Sequence, residues 1–173
     1  MIEAPILLIA LLTGFLTKLT DMIDEHGLRF FRGASILFGS IYGILIGYVI
    51  SSSAVVAPLW IGAFIGVMIF GKIDAAGHYA GLAAALLYLL IFGMPSFSWL
   101  LLAVFMISSA KDEFWVWYKR KNRLKGWLGR LIELRPTTET AAFAASLITG
   151  AWMLWLSILC FDIAYNLTGL VNR

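Results

Sequence analysis

The sequence predicts an all-α, polytopic membrane protein: six transmembrane helices in three hairpins, with one basic amphipathic helix on the cytoplasmic surface. Three observations carry that prediction. Hydrophobic residues fill 61% of the 173 positions and charged residues only 13%, against roughly 45–50% and about 25% in soluble chains. Apolar runs long enough to cross a bilayer, on the order of 17–25 residues, recur along the whole length. Lysine and arginine are confined to a few segments that alternate with cation-free ones. These features exclude an ordinary soluble domain and fit one integral membrane domain over 1–173.

The first span is expected at about 4–20. Its opening, MIEAPILL, has no basic n-region and no small-residue cleavage site follows, so the helix is expected to be retained. The second and third spans, 34–53 and 56–73, are separated by the break SSSAVVAP. The fourth, 76–93, follows GKIDAAGH. Gly93 and Pro95 in GMPSFS punctuate a turn before a fifth span at 97–111. One helix from 79 to 109 would be too long for a bilayer, which favours that split. The sixth span is expected at 139–166.

Charge distribution gives the orientation. Twelve of the thirteen Lys and Arg lie in three segments: Lys18 to Arg32, Lys72, and Lys111 to Arg135. Those segments follow the first, third and fifth spans, whereas the connections at 51–57 and 94–98 carry no cation. Loops rich in Lys and Arg stay cytoplasmic. The expected location is therefore the cell membrane, with three charged loops inside and both termini outside.

Segment 112–135 holds the interfacial piece. From Leu124, apolar residues recur at Trp127, Leu128, Leu131 and Ile132 with charges between them, the spacing of a short amphipathic helix on the inner leaflet. Lys119, Arg120, Lys121, Arg123 and Lys125 form a polybasic cluster, worth roughly 1 kcal/mol per cation beside an anionic surface. Membrane lipids, anionic ones above all, are the expected partners. Nucleic acid is not, because no exposed recognition domain stands behind the cations. Pro136 ends the segment, and Thr137 or Thr138 can cap the sixth helix. Gly39, Gly43 and Gly47 stand four apart, joined by Gly62 and Gly66 in the third span. Such residues allow close helix approach within the bundle or across a homodimer. Cys160 is the single cysteine, so no internal disulfide can form.

The candidate chemistry lies where the odd-numbered helices end. Each closes on a lysine followed by an acid: Lys18 and Asp21, Lys72 and Asp74, Lys111 with Asp112 and Glu113. Two of these stretches continue to the only histidines, His26 and His78. Carboxylates converging from several helices suit a hard divalent cation, Mg²⁺ or Mn²⁺, shared with substrate phosphate. The expected metal ligands are Asp21, Asp24 and Asp74. Lys18 and Lys72 would neutralise phosphate, Lys119, Arg120, Lys121 and Arg123 would gather the anionic partner, and Glu25 joins the acids beside them. His26 or His78 would move the proton, since imidazole titrates near neutrality. Asp162 is expected apart, near the opposite end of the sixth span.

The leading functional expectation is a small membrane enzyme acting at the cytoplasmic face on a lipid with a phosphate-containing headgroup or co-substrate. A transporter or channel for a small cation or metabolite is the alternative. A lipid-sensing or scaffold subunit, which needs only the packing glycines and the basic platform, is the third.

Overall fold

The computed structural model describes residues 3–25, 27–70 and 75–170. Among these residues the chain is all-helical: α1 Glu3–Asp24, α2 Ala34–Ser52, α3 Ala57–Ile69, α4 Ala76–Phe92, α5 Trp99–Asn122, α6 Gly126–Glu133, α7 Pro136–Thr149 and α8 Met153–Leu170. Three helices, α1 (from Pro5), α2 and α8, are long and apolar enough to cross a membrane, while α3 and α4 are shorter apolar helices. Large apolar side chains cover the outside, with Leu90 and Ile148 both more than 80% exposed.

Local chemistry sets the helix ends. Gly27 takes the left-handed conformation (φ 72°), and Leu28 N–H bonds back to Met22 O at 3.0 Å, closing α1. Ser98 Oγ accepts from Leu101 N–H at 3.3 Å and starts α5. The expected breaks at SSSAVVAP and GMPSFS are both present.

Two boundaries differ from expectation. The fifth helix does not stop at 111 but runs to Asn122, because the amphipathic run FWVWYKRK continues the helical pattern past the buried Asp112 and Glu113. The expected sixth span, 139–166, is two helices. Gly150 adopts φ 73° and its N–H bonds Ser146 O at 2.9 Å, which terminates α7. The chain then folds back, so that Trp155 of α8 donates to Glu139 of α7 at 3.0 Å and packs on Phe143.

Packing is organised as three parallel pairs. A Cβ on Gly39 or Gly43 would run into the carbonyl oxygens of Gly77 or Gly81, so α2 and α4 touch backbone to backbone. Gly14 meets the Phe161 carbonyl in the same way and seats α1 on α8. Gly62 and Gly66 admit Phe105 and Ser109, pairing α3 with α5. The glycine stripe of α2 is thus spent inside the bundle. Trp60 Nε1–H donates to Ser157 Oγ at 3.2 Å and ties α3 to α8. Because α8 runs parallel to α1, Glu3 and Leu170 lie at opposite ends of the bundle, and the last turns of α8 stand beside those of α1.

Candidate functional site

The three pairs and α7 enclose a cavity of about 1060 Å³. It lies toward the end where α1 finishes and α4 and α7 begin. Its depth is apolar, lined by Ile46, Trp60, Phe64, Ile158 and Phe161. Its polar part brings together side chains from six helices and from the α6–α7 link.

Asp21, on the last full turn of α1, is the centre of that polar part and is 8% exposed. Its Oδ1 faces His78 Nε2 at 3.0 Å. Its Oδ2 accepts from Tyr165 O–H at 2.5 Å, with Lys18 Nζ 3.8 Å away. His78 Nδ1 in turn meets Tyr42 O–H at 2.9 Å. One carboxylate thereby joins α1, α4, α8 and, through the imidazole, α2. Glu25, one turn after Asp21, completes a set with it and His78: one ligand atom from each can lie within 4.8 Å of the others.

That set offers three donor atoms that could hold a divalent cation. Two ligands at right angles on an octahedral ion with bonds of about 2.1 Å stand about 3 Å apart, the separation of Asp21 Oδ1 and His78 Nε2. Tyr42, 2.9 Å from the other ring nitrogen, would supply the outer contact that orients the imidazole if a metal were bound. A nitrogen donor shifts preference from Mg²⁺ toward Mn²⁺ and later transition metals.

The other acids have different work. Asp24 Oδ2 accepts from Ser35 O–H at 2.6 Å and Gly77 N–H at 3.1 Å, so it joins α2 to the first turn of α4 and lies outside the three-ligand set. Asp112 accepts from Thr137 N–H at 3.0 Å and from Thr138 N–H and O–H at 2.7 and 2.8 Å. It caps α7 across the helix gap, the place where the sequence suggested Thr137 or Thr138 themselves. Glu113, 1% exposed, pairs with Arg135 Nη2 at 2.8 Å. Burial, the largest single influence, would lower the Arg135 pKa; Glu113, Tyr165, Asp162 and Asp21 together outweigh it and raise the pKa.

Lys119 and Arg120 line the cavity. Lys121 lies over the Trp117 ring, 4.9 Å from its centroid, and Arg123 ends α5 in the left-handed region at φ 52°; neither lines the cavity. His26, Lys72 and Asp74 lie outside the described residues. Asp162 is the main relocation. The α7–α8 turn brings it back from the far end to the cavity wall.

Tyr42, Tyr165 and Arg135 were not anticipated as site residues. Their signal was weak: a hydroxyl three residues after Asp162, another inside the glycine stripe, and the last cation of the basic segment from Lys111 to Arg135. Comparison with protein-family models, curated proteins and solved structures returns no match.

Proposed function

We propose that this protein is a membrane enzyme that acts, with a divalent cation, on a lipid carrying a phosphate group. The observation that carries the reading is the Asp21–Glu25–His78 set facing a cavity whose polar wall includes Lys18 and Arg135 and whose depth is apolar. Pockets for small amphiphiles are mostly apolar with a few converging polar groups, typically about 300–1,000 Å³. A bound cation would polarise a phosphoryl oxygen and offset developing charge. The chain's own part would be to hold the cation at Asp21 and Glu25, keep the alkyl portion among Trp60, Phe64 and Phe161, and position His78 through Tyr42.

The bundle would sit in the cell membrane with its charged end cytoplasmic, following the cation-rich loops. In this arrangement α1, α2 and α8 cross fully, α3, α4, α5 and α7 complete the crossings, and α6 rests on the inner leaflet. The expected six crossings become seven, and the end of α8 falls inside rather than outside. The transport reading has less to rest on, since the clustered ionisable groups gather toward one end.

The test is a titration of maltoside-purified protein with Mn²⁺ and Mg²⁺, read as melting temperature and, for Mn²⁺, by electron paramagnetic resonance. Turnover of alkyl and lipid phosphates is then assayed with each ion. Saturable Mn²⁺ binding lost in Glu25→Gln, together with cation-dependent turnover, is expected. Unchanged melting with every ion and no turnover would end the proposal.

A further inference from the structure

We infer that Lys18 and Arg135, both held against the ring of Tyr165, form the seat of the phosphate group beside Asp21. The inference rests on the proposed reading and names the contacts its substrate would make. Lys18 Nζ lies 4.8 Å and Arg135 Cζ 5.9 Å from the centroid of that ring. The ring is fixed independently of them: its hydroxyl donates to Asp21, and its face stacks on Phe161 with centroids 6.0 Å apart. Tyr165 therefore holds two cations within a short reach of the candidate metal ligand. All three residues line the cavity.

Neither cation is consumed by its acidic neighbour. The Lys18–Asp21 distance of 3.8 Å exceeds a charge-assisted hydrogen bond of about 2.7–2.9 Å, so the ammonium is attracted without being locked. Arg135 engages Glu113 through Nη2, whereas a guanidinium carries five N–H donors in a planar fork suited to phosphate oxygens. Gly169 makes room: a Cβ there would stand 3.1 Å from Lys18 Cε.

The backbone at Arg135 is a separate observation. This non-glycine residue sits at φ 50°, ψ 53°, immediately before Pro136. The left-handed region costs roughly 1–2 kcal/mol for an L-residue. Strained backbone that persists against such a cost is concentrated at ligand clamps and active sites. Here it turns the side chain toward Glu113 and Tyr165 at the start of α7. Lys119 and Arg120 stand farther along the same wall, on the helix that also carries Asp112 and Glu113.

A phosphate group can arrive as a lipid headgroup or as a free ion, and the experiment separates them. Binding of decyl phosphate, inorganic phosphate and uncharged decanol is measured calorimetrically in maltoside with EDTA present, so that no step needs a cation. Wild type is compared with Lys18→Gln and with Arg135→Lys, which keeps the charge opposite Glu113 but removes the fork. Decyl phosphate affinity is expected to fall about tenfold or more in each variant, with decanol binding unchanged. That unchanged binding is a readout that mere loss of fold would not leave.

Decyl phosphate binding about tenfold tighter than inorganic phosphate assigns the seat to a lipid headgroup. Equal binding assigns it to free phosphate. Wild-type protein that binds neither phosphate probe, or variants that bind them as wild type does, overturns the inference. Because cation binding is measured separately, failure of the metal set and failure of the phosphate seat are distinguishable.

Discussion

Replacing Asp21 with asparagine tests the site at its centre. The substitution preserves shape but removes the charge that three neighbours share: His78 at 3.0 Å, the Tyr165 hydroxyl at 2.5 Å and Lys18 at 3.8 Å. Hydrogen bonds to charged groups contribute about 1.5–3 kcal/mol and neutral ones about 1. The amide can still accept from Tyr165 and approach the imidazole, so the loss is the charge assistance on two close contacts, together about 2 kcal/mol. Lys18 is too distant to add much. At about 2–4 °C per kcal/mol for a chain of this size, the melting temperature should fall by roughly 4–8 °C in maltoside. Saturating Mn²⁺ separates the structural role from the ligand role. At a concentration of about 100 times Kd, wild type gains about 2.7 kcal/mol from the ion, or about 5–10 °C. Asp21→Asn should gain almost nothing, because a neutral amide is a poor ligand where a carboxylate is missing. A variant that melts lower but rises by the same amount with Mn²⁺ would show that Asp21 only braces the helices, and the metal reasoning would be refuted.

Three other outcomes follow from the geometry. Gly43→Leu should destabilise by about 3 kcal/mol, the upper part of the overpacking range, since the atom in the way is the Gly81 backbone carbonyl and cannot rotate aside; a melting temperature equal to wild type would contradict the α2–α4 contact. Asp112→Ala should cost about 2 kcal/mol through loss of the α7 cap while leaving the Mn²⁺ affinity intact; a parallel loss of metal binding would make Asp112 part of the site. In a Cys160→Ala background, Leu170→Cys should be labelled by an impermeant maleimide from the same side as Phe30→Cys, because α8 ends beside α1; labelling from opposite sides would restore a single span over 139–166.

That ionisable groups gather at one end was legible because charge is scarce in this sequence. Of the expected ligands, however, Asp21 joins the three-residue set, Asp24 does not, and Asp74 lies outside the described residues. With so few ionisable groups, the acids and lysine at the end of α1 and the histidine at the start of α4 had few places to go, and α1 and α4 do bring Asp21, Glu25 and His78 together. The individual roles were less legible. Asp24 and Asp21 are both acids on the same turn of sequence, yet one bonds Gly77 N–H at the start of α4 and the other faces the cavity. Only the direction from which α4 approaches decides between them, and that direction is set by Gly39 and Gly43 meeting Gly77 and Gly81, the contact that also brings Gly77 N–H to Asp24.

The misplacement of Asp162 has a sharper cause. A helix from 79 to 109 is too long for a bilayer, and that length argument divides it correctly at Gly93. The stretch 139–166 holds 28 residues, about 42 Å at 1.5 Å per residue, against a hydrocarbon core of about 30 Å. The same argument divides it too, at Gly150, the one glycine near its middle. Thr149, Ala151 and Trp152 beside that glycine are ordinary span residues, so composition gives no sign of a turn; length does. Once the stretch is folded there, α8 runs back toward the charged end. Asp162 then reaches the cavity wall and Tyr165 reaches Asp21. Every site residue on α8 follows from that single glycine, which makes Gly150→Leu the most economical test of the arrangement: its left-handed φ of 73° is hostile to a side chain. If α8 is held back only by this turn, the substitution should expose Leu170→Cys on the opposite side or unfold the hairpin, and in either case abolish the Mn²⁺-dependent rise in melting temperature.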